Sequence, residues 1–269
     1  MSVDHYENFP VASILLPARL KPAVTAIYAF ARTADDIADE GNASSEQRFS
    51  ALDQYDDELI NIQKNIPSQH HLFQTLASII SEHQLPLPAF HHLISAFKQD
   101  VVTKRYQNYA DLLNYCGRSA NPVGTLMLHL YQAATPQNIK DSDAICSALQ
   151  LTNFWQDIAI DWHKQRVYIP QKDLLHFNIG EEQIDAGNVD ANWTEMMRFQ
   201  TQRTRDLMLS GSQLCNRLPG RIGWELRLVV QGGLRILERL DKVDGDIFQQ
   251  RPQLGKPDWI IVLWRALWM

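Results

Sequence analysis

Apolar residues recur every three or four positions along nearly the whole chain, and that spacing leaves little room for a sheet. Residues 17–39 show it first. After Pro17 come Leu20, Val24, Ile27, Tyr28, Ala31, Ala34 and Ile37, one face of an amphipathic helix. Residues 41–45, Gly-Asn-Ala-Ser-Ser, stop it in the ordinary way, with glycine just past the last turn. The same reading predicts helices over 46–63, 69–83, 87–99, 108–115 and 120–132, the last interrupted near Asn121-Pro122. Longer helices follow over 141–163, 192–217 and 221–242, with Pro67, Pro86, Pro88 and Pro219-Gly220 as punctuation. Residues 166–180 read as irregular around Pro170. Strand-like alternation is rare, so the expectation is all-α. With 269 residues, 45% hydrophobic, and no repeat, low-complexity tract or long linker, residues 1–269 read as one domain.

Within this pattern stand two acidic clusters. The first is Asp35-Asp36-Ile37-Ala38-Asp39; the second is Asn153-Phe154-Trp155-Gln156-Asp157, followed by Asp161. Positions i and i+4 share a helix face, so Asp35 pairs with Asp39 and Asp157 with Asp161. Like charges one turn apart repel, and the repulsion is relieved on a solvated surface or by cations. The neighbours here are not surface-like: Ile27 to Ala31 precede the first cluster, and Leu149, Leu151, Phe154 and Trp155 lead into the second. Carboxylates at the ends of apolar helices suggest the mouth of an apolar cavity. Their hard oxygens suit Mg2+, which often bridges to phosphate. Asn153 lies one turn before Asp157, and Arg32, Arg166 and Lys104-Arg105 are candidate phosphate donors or ordinary ion pairs. A diphosphate so held becomes a good leaving group, and the carbocation left behind needs a dry, aromatic cavity. Gly232-Gly233 reads as close helix packing; no glycine-rich phosphate loop is present.

Composition narrows the partners. The net charge is −6 and there is no Lys/Arg block, which argues against nucleic acid. Cys116, Cys146 and Cys215 are widely spaced, as in a reducing compartment. The N-terminus shows no leader, and no stretch reaches the roughly 18 apolar residues of a spanning helix. A cytoplasmic protein is expected. Residues 259–269 hold three tryptophans and one arginine among apolar residues. A last core helix is the first expectation for them. An interfacial helix, on the inner face of the cytoplasmic membrane, is the alternative.

Taken in order, these motifs resemble the squalene/phytoene synthase family of head-to-head prenyl synthases. The resemblance rests on Tyr28 to Asp39, on Tyr115-Cys116-Gly117-Arg118-Ser119-Ala120-Asn121-Pro122-Val123-Gly124, on Ala148 to Ile158 with Asp161, and on Arg166-Val167-Tyr168-Ile169-Pro170. It spans about residues 8–245. Within the family the chain is similar to the bacterial hydroxysqualene synthase branch, through Glu7 to Ser13, the Asn-Phe-Trp-Gln-Asp form of the second motif and Ser-Ala-Asn-Pro-Val-Gly.

The resemblance implies a single isoprenoid synthase domain whose helices surround a central apolar cavity. It implies presqualene diphosphate as substrate, two or three Mg2+ ions, no nicotinamide cofactor, and hydroxysqualene as product. A presqualene diphosphate synthase would act before this protein and a flavin-dependent squalene-forming enzyme after it. Asp35, Asp39, Asp157 and Asp161 would be catalytic metal ligands, supported by Asp36 and Asn153. Arg32, Arg166 and Asn8 would hold diphosphate, Tyr115 would be the catalytic aromatic, and Phe30, Phe154 and Trp155 would line the cavity. Many members carry arginine where this chain has Gln156, which weakens one diphosphate contact and is compatible with a substrate carrying one diphosphate. Arg118 stands where eukaryotic squalene synthases place a catalytic tyrosine, and a guanidinium cannot do a phenol's work. A condensing synthase, a reductive squalene synthase and an inactive helical scaffold remain as alternatives.

Overall fold

The computed structural model describes residues 16–249 and 251–269. Their regular secondary structure is helical, apart from one isolated parallel bridge between Arg105 and Val167. They form two compact units. The first comprises residues up to Thr103 together with Gly117–Ile139; the second comprises Lys104–Cys116 and Lys140–Met269.

In the first unit, α1 (Lys21–Asp39) packs against α2 (Ser45–Gln63), α3 (His71–His83) and α4 (Leu87–Val102). Pro22 opens α1, where its missing N–H costs nothing. Its buried face is rich in alanine (Ala23, Ala26, Ala31, Ala34 and Ala38), so neighbouring helices approach closely. Phe30 is the large exception and meets Phe90 edge-on at 5.3 Å and Tyr55 at 5.7 Å. α1 ends as expected: Glu40 is extended and Gly41 takes a left-handed φ of 70°. Ser44 and Gln47 then cap α2 reciprocally, Gln47 N–H to Ser44 Oγ at 3.3 Å and Ser44 N–H to Gln47 Oε1 at 2.9 Å. The sequence reading did not find the role of Arg48. Its guanidinium donates to the carbonyls of Ile37 at 2.6 Å and Gly41 at 2.9 Å, fastening the end of α1.

The chain enters the second unit at Lys104, comes back to the first within α5 (Tyr109–Ser119), runs there through α6 (Asn121–Leu130), and leaves again within α7 (Pro136–Gln156). The interruption expected near Asn121-Pro122 is a helix boundary, with Pro122 in the first turn of α6. α7 begins five residues earlier than the 141–163 reading, at Pro136, and is followed by a separate α8 (Ile158–His163).

In the second unit α11 (Ala191–Gly211) and α13 (Gly220–Lys242) pack together. Two of its glycines show how closely the long helices approach. A Cβ on Gly211 would stand 2.3 Å from the Asp141 carbonyl of α7, and one on Gly233 would stand 2.7 Å from Met208 Cε. The Gly232-Gly233 reading therefore holds for Gly233; Gly232 has only ordinary contacts. Residues 166–180 are less irregular than expected, because α9 (Gln171–His176) follows directly on Pro170, and α10 (Glu181–Asp185) comes next. The 192–217 helix is two pieces, α11 and α12 (Leu214–Arg217). The last helix, α14 (Lys256–Leu267), docks on α13 by one face only. The core expectation for this segment holds for Val262 and Ala266 and fails for its tryptophans, which are exposed.

Candidate active site

The first motif occupies the C-terminal end of α1. Asp35 and Asp36 are half-exposed, Asp39 is exposed, and no basic residue lies in that last turn. Three carboxylates thus stand at the negative end of a helix dipole, an arrangement that disfavours folding unless cations arrive. Arg32 is the internal partner. Its Nη1 donates to Asp35 Oδ2 at 3.3 Å, and its Nη2 lies 2.7 Å from Asp36 Oδ1 and 3.6 Å from Glu40. The Asp36 contact is an ion pair off the hydrogen-bond line, which leaves Oδ1 unsatisfied as an acceptor.

The second motif straddles the junction of α7 and α8. Asp157 has φ −107° and ψ 11°, so the helix kinks there, but the backbone ladder continues. Asp157 N–H donates to Asn153 O at 2.9 Å and Asp161 N–H to Asp157 O at 2.7 Å. The i, i+4 relationship therefore survives the kink. Asp161 also accepts the Arg166 N–H on its carbonyl at 2.9 Å, closing the turn that leads into Arg166-Val167-Tyr168.

Arg251, which the sequence reading missed, grips Asp157 with two nitrogens: Nε reaches Oδ1 and Nη2 reaches Oδ2 at 3.0 Å. Beside it, the buried Gln156 donates through Nε2 to the Pro252 carbonyl at 2.7 Å. Residues 251–252 are thereby pinned to two successive residues of the motif. No periodicity marks a lone arginine in a loop 94 residues from its partner, so nothing local in the sequence flags it.

Around the motif lies an aromatic cluster. Phe154 stacks on Tyr168 with centroids 3.7 Å apart and planes 4° from parallel. Tyr115 stands 6.2 Å from Phe154 and 5.4 Å from Tyr106. Tyr106 is brought there because segment 104–107 pairs with 167–172, through Val167 N–H to Lys104 O and Gln171 N–H to Tyr106 O. Neighbouring Cys116 is inert as a nucleophile, because burial pushes its thiol up to about 12.

Other expected residues fall elsewhere. Phe30 and Trp155 have no exposed surface: Phe30 is in the aromatic core of the first unit, and the Trp155 indole donates to Thr204 Oγ1 at 2.8 Å in the second. Arg118 donates to Ser95 Oγ at 2.8 Å and to Gln99, so it ties the start of the Gly117–Ile139 segment to α4. Arg105 pairs with Glu181, whose carboxyl that hydrogen bond holds below its usual range. Asn8 lies outside the described residues. Among the described residues no group of three or more His, Cys, Asp or Glu side chains is clustered at metal-binding distance.

An all-helical chain with an aspartate motif closing one helix and a second at a kinked helix junction defines an isoprenoid synthase fold. More narrowly, the squalene/phytoene synthase family model matches residues 3–258, and the chain belongs to that family of prenyl-processing synthases. It is 33% identical to a hydroxysqualene synthase of Zymomonas mobilis, over 88% of this chain and 80% of the relative. It is 28% identical to a phytoene synthase of Arthrospira platensis, over 96% and 87%. The crystal structure of squalene synthase HpnC from Alicyclobacillus acidocaldarius aligns with a TM-score of 0.83 at 33% identity, covering 89% of this chain and 90% of that one.

Proposed function

We propose that the protein is a hydroxysqualene synthase, acting as one synthase domain on presqualene diphosphate to give hydroxysqualene and diphosphate. One observation carries this reading within the family. At position 156, where many members carry arginine, the side chain is a buried glutamine bonded to the Pro252 carbonyl. That position supplies no cation to a second diphosphate, and presqualene diphosphate has only one. The likeness to the Zymomonas hydroxysqualene synthase supports the same reading. A condensing synthase is the second reading, favoured by the likeness to the Arthrospira phytoene synthase.

Each of the two clusters, taken by itself, offers donors of the kind that suit Mg2+. Asp35, Asp36, Asp39, Asn153, Asp157 and Asp161 offer hard oxygens, and the three of α1 sit against their own helix dipole. When bound, Mg2+ supplies the charge that stabilises the departing diphosphate. Arg32, Arg166 and Arg251 donate to diphosphate oxygens as its negative charge grows. For Arg32 and Arg251 this means exchanging a carboxylate partner for the substrate. The aromatic cluster of Phe154, Tyr168 and Tyr115 would wall the organic fragment, and the aromatic faces not used in the Phe154–Tyr168 stack favour positive charge. Water closes the reaction by forming the C–O bond and losing one proton. No nicotinamide enters this chemistry. The substrate comes from a condensing synthase, and a flavin-dependent reductive step consumes the alcohol. The protein works in the cytoplasm, at the membrane face that receives so apolar a product.

The test is product analysis by gas chromatography–mass spectrometry. Pure protein is incubated with Mg2+ and either presqualene diphosphate or farnesyl diphosphate, without NADPH. Hydroxysqualene from the first, with the second untouched, is expected. Consumption of farnesyl diphosphate alone would make the protein a condensing synthase.

A further inference from the structure

α14 has two unlike faces. Inward, Val262 and Ala266 are buried against the second unit. Asp258, also buried, accepts from Arg235 Nε, Arg239 Nη2 and the Gly255 N–H, each at 2.8 Å. Arg265 donates to Glu238, so the carboxylates of this region are turned in and neutralised. Outward stand Trp259, Ile260, Leu263, Trp264, Leu267 and Trp268, which recur at helical spacing along one side. Ile260 is 71% exposed, Trp264 62% and Trp268 75%. A continuous apolar face of this kind marks a contact surface.

Three observations choose its occupant. The first is charge. In a chain of net charge −6, this face carries no carboxylate, and Lys256 is the one charged side chain among the exposed residues of α14. An anionic surface is therefore met without repulsion. The second is the indole N–H groups of Trp259, Trp264 and Trp268, none of which donates to another residue among those described. A dry protein interface would bury these donors at a cost, whereas lipid carbonyls and interfacial water accept them. The third is length. No helix among the described residues is long and apolar enough to cross a membrane. The 12 residues of α14 reach only about 18 Å, so the helix lies in the interface plane.

We propose that the outer face of α14 docks the protein onto an anionic lipid bilayer. The indoles sit at headgroup level and Ile260, Leu263 and Leu267 enter the acyl boundary. This surface stands apart from the reaction assigned above, and binding is read without turnover, so either idea can fail alone.

The experiment is flotation of the full chain with vesicles of phosphatidylglycerol and phosphatidylethanolamine, with phosphatidylcholine vesicles as the neutral arm. Light scattering of the protein alone runs in parallel. Wild type is expected to float with the anionic vesicles and to partition about 5-fold more weakly onto phosphatidylcholine, the share that one lysine supplies. The Ile260→Glu/Trp264→Glu double variant should lose at least 10-fold of the anionic binding while keeping its melting temperature, because both side chains are exposed. Wild type that stays at the bottom overturns the proposal, as does a variant that floats equally well. Flotation equal on both vesicle types overturns the anionic assignment. A dimer that the variant dissociates, with no flotation, assigns the face to a second copy instead.

Discussion

Arg251 Nη2 stands 3.0 Å from Asp157 Oδ2, with Nε on the other carboxylate oxygen, so a guanidinium occupies the carboxylate that the motif offers to a metal. Bidentate pairs of this kind are held by geometry as well as charge. The Arg251→Ala variant is expected to lower kcat/KM at least 10-fold and to destabilise the protein by about 1–3 kcal/mol, since Asp157 is left largely buried and unpaired. Arg251→Lys should recover stability more than activity, because an ammonium cannot reproduce the fork. Denaturant melts and steady-state kinetics on the same preparations check both.

Asp35→Asn and Asp157→Asn remove a charge without changing shape. Each is expected to lower kcat/KM by about 100-fold or more. The fold should survive in both, and Asp35→Asn should be neutral or stabilising, since it relieves charge at a helix C-terminus. Near-wild-type turnover at saturating Mg2+ would remove these residues from the metal set.

Gln156→Leu keeps the volume and loses the donor to Pro252. The carbonyl left behind costs about 1–3 kcal/mol, and the 251–252 segment should loosen with it. Faster hydrogen exchange confined to this segment and to Asp157, measured by mass spectrometry, is the expected outcome. Unchanged exchange would mean that Arg251 alone holds the segment.

Asp143 has no hydrogen-bond or ion-pair partner among the described residues, and burial alone pushes its carboxyl up to about 6. For an acid, a raised folded pKa means that stability falls as pH climbs from the unfolded value of about 3.9 through 6. Asp143→Asn is therefore expected to stabilise the protein by about 1–2 kcal/mol at pH 8 and to match wild type near pH 4. Calorimetric melts at the two pH values check the sign.

Gly211→Ala places a methyl 2.3 Å from the Asp141 carbonyl, backbone against backbone. Neither helix yields without moving, and a loss of about 1–3 kcal/mol is expected in a denaturant melt.

Helix class, the aspartate pairs and the stop at Gly41 were legible in the sequence because each is local. A period of three to four, an i, i+4 repeat and a glycine past the last turn need no distant partner to be recognised. Helix boundaries were less legible where two rules competed. Pro136 opens α7 earlier than the apolar spacing suggested, and Asp157 kinks a ladder that the spacing reads as straight. The roles of individual side chains depended on partners far along the chain. The family resemblance implied Phe30 and Trp155 as cavity walls, yet the Tyr55, Phe90 and Thr204 that enclose them lie 25 to 60 residues away. Arg48 closing α1, Arg251 on Asp157 and Gln156 on Pro252 were likewise decided by tertiary contact. So was the outward turn of the α14 tryptophans: the segment's apolar composition allowed either face, and the Asp258 pairs with Arg235 and Arg239 selected the one that packs. Periodicity tells which residues share a face; only the packed chain determines what that face meets.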